Sequence, residues 1–338
     1  MLILGIETSC DETSAAVVKD GREVLSNIVL SQSDIHARYG GVVPEIASRA
    51  HTEAIYPICE QALSQAGVGL NDINVIVATY APGLIGALLV GLNFAKALSY
   101  KSALPFVPVN HIKGHIAAAY LDYLELEPPF LAFVASGGHT SILNISNYLD
   151  YEVIGATRDD AIGEAFDKAA RAMGLPYPGG AEIEKLAAIG NAQAIRMPLA
   201  RIKTEGGELD FSFSGVKTHV INYINTIKQK NGELSETDKH DIAAAFTENV
   251  IQSIITRLKV AIKMTAHKKL VCAGGVLANS HIRAALSSLC EEMGVALYIP
   301  NKKYCGDNAA MIAAQGFYEY HAGNIGNLNQ NAFAISKL

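Results

Sequence analysis

The chain has 338 residues, half of them apolar, and a formal net charge of −6 at pH 7. This is enough apolar matter for one large core or two moderate ones, with two domains the expected organisation. The acidic balance argues against a protein that coats nucleic acid unaided, although Lys228–Lys230, Lys263–Lys269 and Lys302-Lys303 are candidates for local basic surface as well as for ordinary solvated faces.

Leu2–Thr8 has the composition of a β-strand, and no basic segment precedes it, so no signal or transit peptide is expected. Nor does any apolar run reach the length of a membrane span. The five cysteines (Cys10, Cys59, Cys272, Cys290, Cys305) are scattered and odd in number, which fits a reducing, cytoplasmic compartment better than a disulfide framework. After the polar turn Ser9–Thr13, strands are predicted at Ser14–Lys19 and Glu23–Leu30. After a loop at Gly40–Pro44 a helix runs to about Gly67, with an apolar stripe through Ile46, Ala50, Ala54, Ile58 and Ala62. Ile73–Tyr80 is a strand, Leu84–Ser99 a helix, Phe106–Val109 a strand and His111–Tyr123 a helix.

A similar order follows. Strands are predicted at Phe130–Ser136, Thr140–Ile145 and Tyr151–Ala156, then a helix over Asp160–Met173 closed by Gly174 and Pro176. Tyr177–Gly180 opens another helix, and Asp210–Gly215 is a turn-rich part of a long connection. Thr237 caps a long helix whose core face is Ile242, Phe246, Val250, Ile254 and Leu258. Strand Lys269–Gly274, helix Asn279–Met293, strand Ala296–Pro300 and helix Gly306–Ala322 complete the chain. Each half begins with three strands and ends strand–helix–strand–helix. A duplicated α/β fold with a ligand cleft between its lobes is therefore expected, with a first lobe at 1–110, joined by the C-terminal helix 307–338, and a second at 111–306.

His111 and His115 are four residues apart and so share one helix face, where two imidazoles can grip one metal ion. The nearby helix start disfavours imidazolium and is expected to keep both rings neutral. When the halves are aligned, the Asp307 helix is the counterpart of the two-histidine helix, and a pseudo-twofold axis would bring the two helix starts together across the cleft. Asp307 then becomes a third ligand, its alternative being an acid that simply complements a helix dipole. Glycine-rich turns at Ser136-Gly137-Gly138-His139, Gly179-Gly180 and Gly274-Gly275 suit close backbone approach to a phosphate, and together suggest a nucleotide. Asp167 is placed to accept from ribose hydroxyls or to be a surface acid; Asn279 is either a ligand amide or an ordinary N-cap. Asp11 and Glu12 lie in a turn that either polarises an attacking group or is merely solvated. There is no P-loop, and Ile112 stands where a metalloprotease would carry its general-base Glu.

The segments Gly5–Ser14, Gly41–Arg49, Asn110–His115, Ser136–Thr140, Phe211–Thr218 and Gly306–Ala310 together resemble the universal family of tRNA threonylcarbamoyladenosine transferases, once called O-sialoglycoprotein endopeptidases. The resemblance runs nearly end to end. It implies the two-lobed fold of actin, Hsp70 and the sugar kinases. It also implies transfer of a threonylcarbamoyl group from threonylcarbamoyl-AMP to N6 of adenosine 37 in tRNAs reading codons that begin with A. Its implied site has His111, His115 and Asp307 on one divalent metal, Fe2+ in preference to Zn2+. Val134, Ala135, Ser136, Gly137, Gly138, Asp167, Gly180, Glu184 and Asn279 would line the adenylate site, with Asp11, Glu12 and His139 as candidate catalytic residues. The implied partners are tRNA, a paralogous inactive subunit and a small ATPase, with no membrane. The chain departs from the family pattern at Ala81, Ala87, Ala181 and Glu184. Read without the resemblance, the same residues also admit a small-molecule kinase, a metalloprotease or a non-catalytic scaffold.

Overall fold

The computed structural model describes residues 1–198 and 207–336; positions 199–206 of the expected second lobe and 337–338 of the expected C-terminal segment lie outside the described residues. In chain order the elements are β1 (Leu2–Glu7), β2 (Glu12–Lys19), β3 (Glu23–Ser31), α1 (Ser33–Ala37), α2 (Pro44–Ala66), β4 (Val75–Ala81), α3 (Ile85–Ser102), β5 (Phe106–Asn110) and α4 (His111–Asp122). There follow β6 (Phe130–Ala135), β7 (Thr140–Ile145), β8 (Tyr151–Ala156), α5 (Ile162–Met173), α6 (Gly179–Ala187), α7 (Ser214–Asn231) and α8 (Glu236–Thr265). The chain ends with β9 (Lys269–Ala273), α9 (Ser280–Met293), β10 (Ala296–Tyr298), α10 (Lys302–Cys305) and α11 (Ala309–His321).

Two compact units result. The first comprises 1–128, 146–151 and 300–338, and the second 129–145 and 152–299. The first holds a sheet of order β3-β2-β1-β4-β5, in which β1 is antiparallel to β2 and parallel to β4. The second holds a sheet of order β10-β9-β6-β7-β8, in which β6 is antiparallel to β7 and parallel to β9. Read outward from β1 and β6, the order is the same, which is the repeat expected from the sequence. The buried central strands are nearly continuous apolar runs, as parallel strands covered on both faces must be.

The grouping differs from the expected division at 110/111. Helix α4 belongs to the first unit because it packs on α11. A Cβ at Gly114 would come within 2.6 Å of Ile312 Cδ1, so the small residue permits the close approach. The chain returns to that unit at Pro300. Other boundaries also move. Ser235, not Thr237, caps α8, accepting from Asp238 N–H while the Asp238 carboxylate accepts from Ser235 N–H in return. The buried face of α2 runs through Ala47, His51, Ala54, Ile58 and Ala62; Ile46 and Ala50 are only half-buried, the core face being taken by the residue after each, Ala47 and His51. Asp210–Gly215 leads into α7, a helix absent from the sequence-based reading.

Candidate functional site

The first unit gathers one cluster at the ends of β1, β5 and α10. Asn110 caps α4, its side chain accepting from the N–H groups of Ile112 and Lys113 at 2.9 and 3.4 Å, so the helix begins at His111 itself. Asn308 caps α11 by accepting from Met311 N–H at 3.0 Å, and its amide donates to Gly306 O at 2.9 Å, which shapes the turn carrying Asp307. Asp307 therefore precedes the helix rather than lying in it. Its Oδ1 is 3.5 Å from His111 Nε2 and 3.2 Å from His115 Nε2. One ligand atom from each of the three residues lies within 4.8 Å of the others, the spacing a single ion requires. All three residues belong to the first unit, not one half each as the aligned halves suggested.

The chemistry of this donor set fits a cation. His115 is fully buried, and among the described residues neither of its ring nitrogens has an aligned hydrogen-bond partner. Such an orphan is costly unless something else satisfies it. Glu7 is also fully buried, with Oε2 3.1 Å from His111 Nδ1. Burial opposes its charge, but His111 and the hydrogen bond from Thr79 outweigh burial and hold its carboxyl below the ordinary value. Burial likewise opposes charge on His111, yet Asp307 and Glu7 together push it up to about 9. The two carboxylates thus oppose the helix dipole at His111. At His115 burial and the neighbouring His111 act the same way as the dipole and lower the pKa. Two imidazoles and the Asp307 carboxylate so placed form a donor set that could hold a divalent ion.

The polar turn after β1 belongs to the same unit. Asp11 is buried and Glu12 opens β2. Burial, with Asp307 and Asp11 nearby, pushes the Glu12 carboxyl up to about 9. The turn is not merely solvated: Gln32 N–H donates to Asp11 O at 2.9 Å, and His51 Nε2 lies 2.9 Å from Cys10 O.

The second unit holds a cavity of about 290 Å³ lined by five of the predicted residues, Gly137, Asp167, Gly180, Glu184 and Asn279. Gly275, from the Gly274-Gly275 turn expected to approach a phosphate, lines it too, as do Phe166, Gly163 and Val276, which sequence reasoning did not single out. A Cβ at Gly137, Gly180 or Gly275 would meet nothing within 4 Å, so backbone is open to a ligand at three points. The three polar side chains shape the pocket as well. Asp167 Oδ1 accepts from Gly179 N–H at 2.8 Å, Glu184 Oε1 from Ser280 N–H at 2.8 Å, and Asn279 Oδ1 from His281 N–H at 3.0 Å. Asn279 is thus an N-cap whose amide nitrogen is not used in capping. Val134 and Ala135 are fully buried strand residues, Gly138 lies outside the lining, and Ser136 and His139 close the β6–β7 turn through Ser136 N–H to His139 O at 2.8 Å.

A model of the family described as tRNA N6-adenosine threonylcarbamoyltransferase matches residues 23–314. A curated relative of that name from Clostridium perfringens is 50% identical over 331 residues, covering 98% of this chain and 96% of its own. One from Caldicellulosiruptor saccharolyticus is 49% identical over 333 residues, covering 98% and 97%. Among solved structures, full-length HypF in its phosphate- and nucleotide-bound form matches with a TM-score of 0.60 at 15% identity, over 99% of this chain and 47% of that one. The activator of 2-hydroxyisocaproyl-CoA dehydratase from Clostridium difficile with bound ADPNP matches at 0.52 and 13% identity, over 97% and 100%. At such identities these two speak to fold alone, and the fold is that of the actin, Hsp70 and sugar-kinase group. The near-complete match to curated transferases decides among the transferase, kinase and protease readings, and the chain belongs to the tRNA N6-adenosine threonylcarbamoyltransferase family.

Proposed function

We propose that this chain transfers the threonylcarbamoyl group from threonylcarbamoyl-AMP to N6 of adenosine 37 in tRNAs reading codons that begin with A, and that transfer depends on one divalent metal ion. The observation that carries the metal part is the convergence of His111 Nε2, His115 Nε2 and Asp307 Oδ1 around a buried, unsatisfied imidazole. Two imidazoles and a carboxylate suit iron or zinc and are a poor match for magnesium, which prefers oxygen ligands; the preference for iron rests on the family resemblance. When bound, the metal supplies Lewis-acid polarisation of a carbonyl or carboxylate oxygen of the transferred group.

The chain's own residues do the rest. The open backbone at Gly137, Gly180 and Gly275 receives the nucleotide, with Asp167, Glu184 and the Asn279 amide toward its ribose and base. The N6 lone pair attacks the carbamoyl carbon, the new C–N bond forms, and the C–O bond to phosphate breaks with AMP leaving on the electron pair. An acid of the Asp11-Glu12 turn accepts the N6 proton. His139, at the β6–β7 turn, is assigned to the same reaction. A paralogous inactive subunit and a small ATPase are the proposed partners.

Replacing His111 and His115 together by Ala is expected to remove both metal content, read by elemental analysis, and transfer from threonylcarbamoyl-AMP. Full transfer by a metal-free double variant would overturn the metal-dependent reading. Stoichiometric consumption of ATP in place of threonylcarbamoyl-AMP would overturn the donor.

A further inference from the structure

The ligand set leaves one oddity: a glutamate with no solvent exposure at the end of an otherwise apolar strand. Burying a carboxylate is expensive unless every oxygen is engaged, and Glu7 is engaged on both. Its Oε1 accepts from Ser9 N–H, and its Oε2 accepts from Thr79 Oγ1 at 2.5 Å. His111 Nδ1 lies 3.1 Å from that same Oε2. An ionised carboxylate has no hydrogen to give, so the last contact is a hydrogen bond only when Nδ1 carries one. Ser9 Oγ, 3.2 Å from the same nitrogen, can give or accept and adapts to whichever state the carboxylate imposes. A neutral ring protonated on Nδ1 has its lone pair on Nε2, the nitrogen that faces Asp307.

We propose that Glu7 is the positioning residue of the metal centre, fixing the tautomer and ring orientation of His111 so that Nε2 is presented to the cation. Glu7 is not itself a ligand: it lies on the Nδ1 side of the ring, and its oxygens are occupied by three donors. Thr79, on β4, holds the carboxylate in turn, so the orientation of a residue on α4 is set by two neighbouring strands. Among the described residues His115 has no such partner on its Nδ1. Carboxylates that orient a ligating histidine raise metal affinity, and their loss typically weakens it by about 10- to 100-fold. This inference rests on the metal reading above.

The test uses the full-length protein stripped of metal, with Zn2+ affinity read by competition against a chromophoric chelator and the Co2+ absorption spectrum as the record of geometry. Glu7→Gln is expected to bind Zn2+ about 10- to 100-fold more weakly and to shift the Co2+ bands, while its metal-free far-UV spectrum and thermal midpoint report that the fold persists. Wild-type Zn2+ affinity and Co2+ bands in Glu7→Gln, alongside loss of binding in His111→Ala, would overturn the positioning role and leave the metal site standing. Undiminished Zn2+ binding by His111→Ala would remove the metal reading and this inference with it. Should Glu7→Gln fail to fold, the wild-type protein decides. With 15N-labelled histidine and bound Zn2+, His111 is expected to carry hydrogen on Nδ1 and metal on Nε2, and the reverse assignment would overturn the proposal.

Discussion

The polar turn Ser9–Thr13 owes its shape to a histidine that the apolar stripe of α2 concealed. His51 is fully buried, with Nδ1 2.8 Å from Thr13 Oγ1 and Nε2 2.9 Å from Cys10 O. A carbonyl can only accept, so Nε2 donates and Nδ1 accepts from the Thr13 hydroxyl: the neutral ring is satisfied on both sides. Burial lowers its pKa from the ordinary 6.5. Above that value folded and unfolded chains both carry the neutral ring, and His51 has no effect on the pH dependence. As the pH falls below 6.5 the unfolded chain takes up the proton first, and the folded state loses stability until its own lower pKa is passed. Urea unfolding of the wild type is therefore expected to weaken between pH 7 and pH 5, and His51→Asn to show a flatter slope over that range. Parallel slopes would show that His51 is not what makes the turn acid-sensitive. Glu7 was hidden for a different reason. Its place in a strand gives it a buried address, but only the packed structure reveals the imidazole beside it.

Among the elements, the β6–β7 turn and the start of α5 form a backbone wall of the cavity in the second unit. Gly163 N–H donates to Ser136 O at 3.2 Å, and a Cβ at Gly163 would come within 2.7 Å of both Gly137 Cα and Ser136 O. Backbone cannot step aside as a side-chain tip can. Gly163→Ala is expected to cost about 1–3 kcal/mol in urea unfolding and to weaken AMP binding measured by calorimetry; unchanged stability would contradict the close packing. Helix α7 shows how an element is missed. Its buried positions Val216, Val220 and Ile224 repeat every fourth residue, but Thr218, Asn222, Asn225 and Thr226 dilute the helical signal. The Phe211–Gly215 segment before it is held by tertiary contacts: Asp159 accepts from Phe213 N–H at 2.8 Å, and the Arg257 guanidinium lies 5.1 Å from the Phe211 ring.

On the scale of the whole molecule, net charge sets an expectation about tRNA. Nucleic-acid affinity rises with the number of phosphates neutralised and falls steeply with salt. A chain of net charge −6 is expected to bind tRNA weakly by itself at about 150 mM salt and to gain affinity when the proposed partners are added. Filter binding across a salt series checks this, and tight binding by the isolated chain would show that its own basic residues suffice. The succession of strands and helices, the repeat and the pairing of two histidines on one helix face were all readable beforehand, because a period of two or of 3.6 residues writes buried faces directly into the sequence. The sequence by itself thus determined the fold class and named the three residues of the candidate metal site. That Asp307 joins His111 and His115 within one unit, and that Glu7 and Thr79 stand behind His111, only the tertiary structure decided. Such meetings depend on how α4 packs on α11 and how β1 pairs with β4, and no local period records which distant segments will touch.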